Sequence, residues 1–301
     1  MDAIGVFLEA VIRATLPLAL AAFGEMLSER AGFVNVGLEG SMIAGALAAA
    51  VGATAGGTVL GYGTGALAGA VVGVVMAVFA IGLRTNQILT GTAATAGALG
   101  LTSLLSQAFF GASGAALSIP MSQPVALPPF ATLPVIGRAL FAQPLISYAV
   151  FGLVPVIWWW LSRTRSGLAL RATGESPDAV RASGLSPVRF QAGAVVAGSA
   201  LGGVGGATLV LAQAGTFAEG MTAGRGFIAL AIVALGRWHP IGVTGAALLF
   251  GATSSLQVLL QAGGTDLPYQ VFLALPYVLT LAVLAITGRA GQPAWLGRAL
   301  P

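Results

Sequence analysis

The sequence predicts an all-α polytopic integral membrane protein. Hydrophobic residues make up 57% of its 301 positions, with a mean hydropathy of +0.93. Only 7% are charged, against about 25% in a soluble domain, too few to cover a water-facing surface. Apolar runs near the roughly 20 residues that a spanning helix needs recur along the chain. The alternating segments of about 10 residues that mark a transmembrane barrel do not appear.

The runs lie at 6–27, 41–56, 65–83, 88–110, 145–161, 190–212, 241–260 and 269–287. The first opens "MDAIGVFLEAVIRATLPLAL", with Asp2 and Glu9 where a signal peptide carries positive charge, so it reads as a membrane helix. Glycine is abundant at 44 residues. In a bilayer small residues let helix backbones approach closely, and Gly198, Gly202 and Gly206 at four-residue spacing form such a stripe. The expectation is eight or nine crossings in one transmembrane domain, 1–301. Its first helices occupy 1–110, an external loop 111–144, a cytoplasmic loop 163–189 and a second helical half 190–301.

Charge orients the chain. Arg163, Arg165, Arg171, Arg181 and Arg189 are five of the thirteen basic residues, all arginine, and short Arg-rich loops stay in the cytoplasm. Trp158, Trp159 and Trp160 before this loop suit an interfacial belt. Arg84, Arg237 and the tail with Arg289 and Arg298 then also fall inside. The proline-rich loop 111–144 falls outside as an ordered, extended cap, as does "QAGGTDLP" at 261–268. There is no cysteine, so thiol chemistry is excluded. His239 is the one histidine, too few for a metal site, and reads as interfacial.

Two segments do not read as plain spans. "GEMLSERAGFVNVGLEGS" (24–41) holds Glu25, Glu29, Arg30, Asn35 and Glu39 between two apolar helices. "EGMTAGRGFIALAIVALGRWHP" (219–240) contains an apolar stretch, 226–236, whose helical rise of about 16 Å is half of a bilayer core of about 30 Å. Irregular backbone survives at membrane depth only when packed in protein or lining a wet cavity, and transporters place binding sites at such broken helices. Both segments join a Gly-Phe pair, Gly32-Phe33 and Gly226-Phe227, to a short apolar helix, a pattern of two related halves. Asn35 and Glu39, four apart on a helical start, are expected to face the same side as pathway residues. Glu29 and Arg30 read as a structural ion pair.

"GLALRATGESPDAVRASGLSP" (167–187) carries helix start and stop signals. Ser176 is the expected N-cap, Pro177 the first helical residue and Asp178 lies in the first turn. Gly184 supplies a left-handed stop and Pro187 prevents resumption. The resulting helix, 177–183, is too short to stand alone in water. Taken by themselves, these residues fit either a connector or a docking knob.

Three stretches, "ERAGFVNVGLEGSMIAGA" (29–46), "GLALRATGESPDAVRASGLSP" and "FAEGMTAGRGFIALAIVALGRWHPIG" (217–242), resemble the signature segments of permease subunits of ATP-binding-cassette importers, in the nucleoside and simple-sugar branch. The resemblance runs in order along nearly the whole chain. It implies that Glu175, Pro177, Asp178, Ala179, Arg181 and Gly184 belong to a coupling helix that docks on a separate ATPase subunit. It also implies that Asn35, Glu39, Gln87, Thr95 and Phe227 lie at the translocation path. Thr95 departs from the asparagine that this family's pattern leads one to expect a few residues after Gly91, replacing an amide with a shorter hydroxyl. "RAGFVNVGLEG" is more similar to the nucleoside group than to the ribose group.

The reading is a non-enzymatic, channel-forming subunit of a nucleoside importer in a bacterial inner membrane, with its C-terminus inside and no cofactor or metal. Its implied partners are a cytoplasmic ATPase, a second and different permease chain, an extracytoplasmic substrate-binding protein and the nucleoside. Few charges and several Thr, Ser, Asn and Gln groups suit a neutral solute. The chain has no lysine, so it cannot supply a Lys-bearing phosphate loop. Simple sugars or branched-chain amino acids as solutes, and an ion-driven secondary transporter, are the alternatives. An intramembrane hydrolase fits poorly, because Asp occurs only at 2, 178 and 266 and the lone His239 precedes Pro240.

Overall fold

The computed structural model describes residues 3–111, 119–128, 130–132, 136–262, 274, 278 and 291–300. The expected span 269–287 lies outside the described residues except for Ala274 and Val278. Arg289 and most of the expected outer loop 261–268 lie outside them too.

Ten α-helices are described in chain order: α1 (Ala3–Arg30), α2 (Leu38–Met76), α3 (Gln87–Phe110), α4 (Ile136–Phe141), α5 (Leu145–Arg163), α6 (Arg165–Glu175), α7 (Pro177–Ala182), α8 (Pro187–Thr208), α9 (Arg225–Leu235) and α10 (Pro240–Ala262). Wider π-helical turns, Ala77–Gly82 and Leu209–Ala214, finish α2 and α8. Six helical segments among the described residues are long and apolar enough to cross a membrane.

One of the six is doubled. At Gly56 (φ −155°, ψ 26°) and Gly57 (φ 81°) the backbone leaves helical geometry, a turn that glycine enters without steric cost. The chain then folds back on itself. Thr64 Oγ1 donates to Ala48 O at 2.8 Å across the fold, and a Cβ on Gly65 would sit 3.1 Å from Gly45 O. The separate runs 41–56 and 65–83 are therefore two antiparallel legs of one hairpin.

The centre of the bundle is α1, the first leg of α2, and α8, with Phe23, Met26, Leu38, Met42 and Leu211 fully buried. Backbone packs on backbone here. A Cβ at Gly206 would come within 1.8 Å of Met42 O, at Gly203 within 2.2 Å of Gly65 O, and at Gly198 within 2.3 Å of Gly24 O. The glycine stripe is thus the contact surface of α8, and closeness of this kind drives packing where burial from water cannot. The outer helices leave Val59, Leu67, Val71, Leu104 and Trp159 exposed, a surface that hydrocarbon tolerates.

The loop 111–144 is more structured than an extended cap. Its described part pairs β1 (Pro124–Ala126) with β2 (Ala142–Pro144) antiparallel, and α4 precedes β2. Phe130 and Phe141 stack at 5.2 Å. Ser122 N donates to Leu211 O at 2.8 Å, so this hairpin sits at the end of α8 opposite α7. The Arg-rich loop and the proline-rich loop therefore lie at opposite ends of the bundle, as the charge pattern requires.

Candidate functional site

The break between α1 and α2 is only seven residues long. Glu25, Glu29 and Arg30 lie on α1, not in a loop, because the helix runs on to Arg30. Residues 31–37 follow without regular structure, turning at Gly32 (φ 85°). They are buried except for Val34 and Val36, which are half-buried, and their backbone groups find partners on every side. Glu25 Oε1 accepts from Asn35 N at 2.9 Å, Gln87 Oε1 accepts from Val34 N at 3.1 Å, and Gln191 Nε2 donates to Ala31 O at 3.1 Å. Thr95 Oγ1 donates to Val36 O at 3.3 Å. Buried irregular backbone needs such partners.

The second break is joined to the first. The Glu39 carboxylate, in the first turn of α2, accepts from the Thr222 hydroxyl, from Gly224 N at 2.9 Å and from Gly226 N at 2.6 Å. Those amides are the unpaired donors at the start of α9. A carboxylate there both satisfies them and meets the positive end of the helix dipole. Gly224 turns the chain into α9 in the left-handed region (φ 79°). At the other end of α9, Arg237 (φ 56°) and Trp238 (φ 55°) are both left-handed, a strained choice for residues with a Cβ. Trp238 is held there by α1: its indole Nε1 donates to Glu29 Oε2, and Arg30 Nε donates to Trp238 O at 2.8 Å. Glu29 and Arg30 make no ion pair with each other among the described residues; both grip Trp238 instead.

The structure brings Asn35, Glu39, Gln87 and Thr95 together around residues 31–40, all four buried. Asn35 and Glu39 do not face the same side, because Asn35 precedes the helix. Asn35 Nδ2 donates to Ser199 Oγ on α8 at 2.9 Å, while Glu39 points to α9. Asn35 Oδ1 is buried without a hydrogen-bond partner among the described residues. Phe227 stands apart, 46% exposed on α9. The two Gly-Phe pairs are not equivalent: Phe33 is fully buried before α2, and Phe227 lies inside a helix. Ser199, Thr222, Gln191 and Trp238 escaped the sequence reading. A lone Gln in an apolar span was the one signal available, at Gln191.

The 163–189 loop contains a helix the sequence reading missed, α6, started by Thr164 Oγ1 accepting from Gly167 N at 3.1 Å. α7 follows directly. Pro177 is its first residue and Asp178 pairs with Arg181 at 3.2 Å. Ser176 occupies the N-cap position, but its side chain makes no capping bond. Gly184 (φ 77°) ends the helix, with Gly184 N bonded to Arg181 O at 2.8 Å and Leu185 N to Val180 O at 3.2 Å, a C-terminal closure of the kind glycine supplies. Pro177 and Val180 are buried and anchor α7, while Glu175, Asp178, Ala179, Arg181, Ala182 and Gly184 are exposed. A groove of about 650 Å³ opens beside it, lined by Arg181, Gly184, Leu185, Ser186, Arg189 and Phe190.

The fold is a glycine-packed helical bundle with two helix breaks braced on each other and a short helix, α7, anchored at one end. Over residues 7–284 the chain matches the family described as branched-chain amino acid transport system permease component, and it belongs to that family. It is 34% identical to the guanosine ABC transporter permease protein NupQ of Bacillus subtilis, covering 95% of this chain and 94% of that one. It is 33% identical to the nucleoside ABC transporter permease protein NupC of Lactococcus lactis subsp. cremoris, covering 92% and 90%. It is also 35% identical to the putative glucose ABC transporter permease protein TsgC13 of Haloferax volcanii, again covering 92% and 90%. No solved structure matches the chain.

Proposed function

We propose that the chain is the channel-forming permease subunit of an ATP-driven nucleoside importer. Near full-length similarity to two permeases named for guanosine and nucleosides carries the reading. Glu39, Asn35, Gln87 and Thr95 brace the two helix breaks beside the path, and Phe227, exposed on the half-length helix α9, faces the solute or the second permease. α7 is the coupling helix: Pro177 and Val180 fix it to the bundle, and its outer face, with Ala179 and Ala182, docks on an ATPase supplied by another chain. ATP binding there pushes α7, and the two braced breaks pass the motion to the path.

The protein sits in a bacterial inner membrane with nine crossings, counting the apolar run 269–287 and the 215–235 descent that ends in α9. The 163–189 loop and the 293–300 segment are cytoplasmic. A binding protein delivers the solute at the β1–β2 face, and a second, different permease completes the pore. Sugar transport is the second reading, favoured by the similarity to the glucose-named permease.

Uptake of labelled uridine by cells carrying the complete transporter tests the proposal. Excess guanosine or uridine should abolish uptake, and excess leucine or glucose should leave it unchanged. Absence of uridine uptake, with labelled glucose taken up instead, replaces the nucleoside reading with the sugar one. Uptake that survives loss of every ATPase partner overturns the importer model.

A further inference from the structure

Residues 293–298 do not trail away from the bundle. They lie across the base of the coupling loop, the first helix break and the start of α3. Trp295 N donates to Gly174 O at 2.8 Å, and Ala294 N donates to Glu175 Oε2 at 3.2 Å, both at the end of α6. Gly297 N donates to Gly32 O at 3.1 Å, inside the first break. Gln87 Nε2 donates to Arg298 O at 3.3 Å, and the same side chain accepts from Val34 N at 3.1 Å. The segment is itself shaped: Leu296 N closes a turn on Pro293 O at 3.1 Å, Gly297 is left-handed (φ 74°), and the Arg298 guanidinium lies 5.6 Å over the Trp295 ring. Pro293 and Leu300 are buried.

Beneath this segment the coupling loop and the break touch backbone to backbone. A Cβ on Gly174 would lie 2.3 Å from Arg30 O and 3.0 Å from Gly32 N. A Cβ on Gly32 would lie 3.4 Å from both Gly174 Cα and Trp295 O. The contacts close a ring, Gly174 to Trp295, Gly297 to Gly32, Val34 to Gln87 and back to Arg298. Such a ring resists relative sliding because several bonds must break together, whereas the Gly174–Gly32 contact alone has no side chain to key it.

We propose that residues 293–298 are a positioning clasp that makes the base of the coupling helix and the 31–37 break move as one body. This rests on the importer reading above. The stretch touches neither solute nor nucleotide in that scheme; it acts by transmitting the displacement of α7 to Asn35 and, through α2, to Glu39 and α9.

Two variants and one bridge test it. Ala294→Pro removes the amide that reaches Glu175, and replacement of 293–298 with a Gly-Ser sequence of equal length removes the buried Pro293 and the Trp295–Arg298 contact that hold the segment's amides in place. In the reconstituted complex both should keep the ATPase bound and hydrolysing. Uridine moved per ATP hydrolysed should fall by at least about fivefold, the low end for coupled sites. A ratio that holds, or uptake and hydrolysis falling in equal proportion, overturns the clasp. The chain has no cysteine, so the double variant Glu175→Cys, Ala294→Cys can be bridged with a short thiol-reactive linker. Bridging should be equally efficient in nucleotide-free and vanadate-trapped complexes, and the bridged complex should take up uridine at least as fast as the same double variant left unbridged. A bridge that stops uptake means that the contact must open, and the one-body claim fails. If the unmodified complex itself moves no uridine, the importer reading fails instead, while the bridging comparison still judges the clasp.

Discussion

Gly226 N donates to Glu39 Oε2 at 2.6 Å, and a Cβ on Gly226 would lie 2.5 Å from Glu39 Cα. The first turn of α2 and the first turn of α9 therefore meet through one carboxylate and one missing side chain. Glu39→Ala leaves the Thr222, Gly224 and Gly226 donors without it, and an unmade buried bond costs about 1–3 kcal/mol. The expected outcome is a drop of at least about 5 °C in the melting point of the detergent-purified protein, at roughly 2–4 °C per kcal/mol. Glu39→Gln, which keeps an acceptor, should lose less. Equal melting of all three proteins would show that the carboxylate does not hold α9.

The α2–α8 contact makes a sharper demand. Gly206→Ala would put a methyl 1.8 Å from Met42 O, where only backbone movement could relieve it. Overpacking a tight core costs about 1–3 kcal/mol, and here the obstacle is a main-chain carbonyl. Gly245→Ala, on α10 with open space around it, is the matched control and should be neutral or slightly stabilising by helix propensity. Folded yield in size-exclusion profiles should fall for Gly206→Ala and hold for Gly245→Ala.

How much of this was written in the sequence depends on the range of the interaction. Composition and run length gave the membrane class, and Pro177, Asp178 and Gly184 gave α7, because caps and stops act within a few residues. The halt of α9 after about 16 Å of rise was legible for the same reason. The two legs of the α2 hairpin were legible as two apolar runs, 41–56 and 65–83, although the turn at Gly56–Gly57 holds no polar residue to mark it. The partners of Asn35, Glu39 and Glu29 were not legible: Ser199, Gly226 and Trp238 lie 164, 187 and 209 residues away. Charge proximity in sequence suggested a Glu29–Arg30 pair, but adjacent residues on a helix point apart, and both reached Trp238.

That grip on Trp238 carries a prediction. Arg237 and Trp238 are both left-handed, at about 1–2 kcal/mol per residue, so something must hold the turn. Trp238→Phe keeps an aromatic ring, though a smaller one, but removes the indole donor to Glu29, leaving a buried carboxylate short of a partner. It should cost about 1–3 kcal/mol and loosen the α9–α10 connection. Hydrogen exchange at residues 235–239 should quicken. Glu29→Gln, which can still accept from the indole, should leave exchange near that of the unmodified protein. If Trp238→Phe leaves it unchanged as well, the indole bond is not what secures the turn.

The exposed face of α7 gives the last test. Ala179 and Ala182 are exposed while Pro177 and Val180 are buried, so a cysteine at 179 or 182 changes the contact surface without disturbing the anchor. In a cysteine-free chain the label reports one site. A membrane-impermeant maleimide should react from the cytoplasmic side only, and a thiol cross-linker should join position 179 or 182 to the ATPase. Gly184→Ala forces a Cβ into the left-handed region at φ 77°, costing about 1 kcal/mol. The strain frays the end of α7, so this variant should cross-link less while its membrane level stays the same. Labelling from the exterior would invert the orientation, and with it the assignment of α7 as the coupling helix.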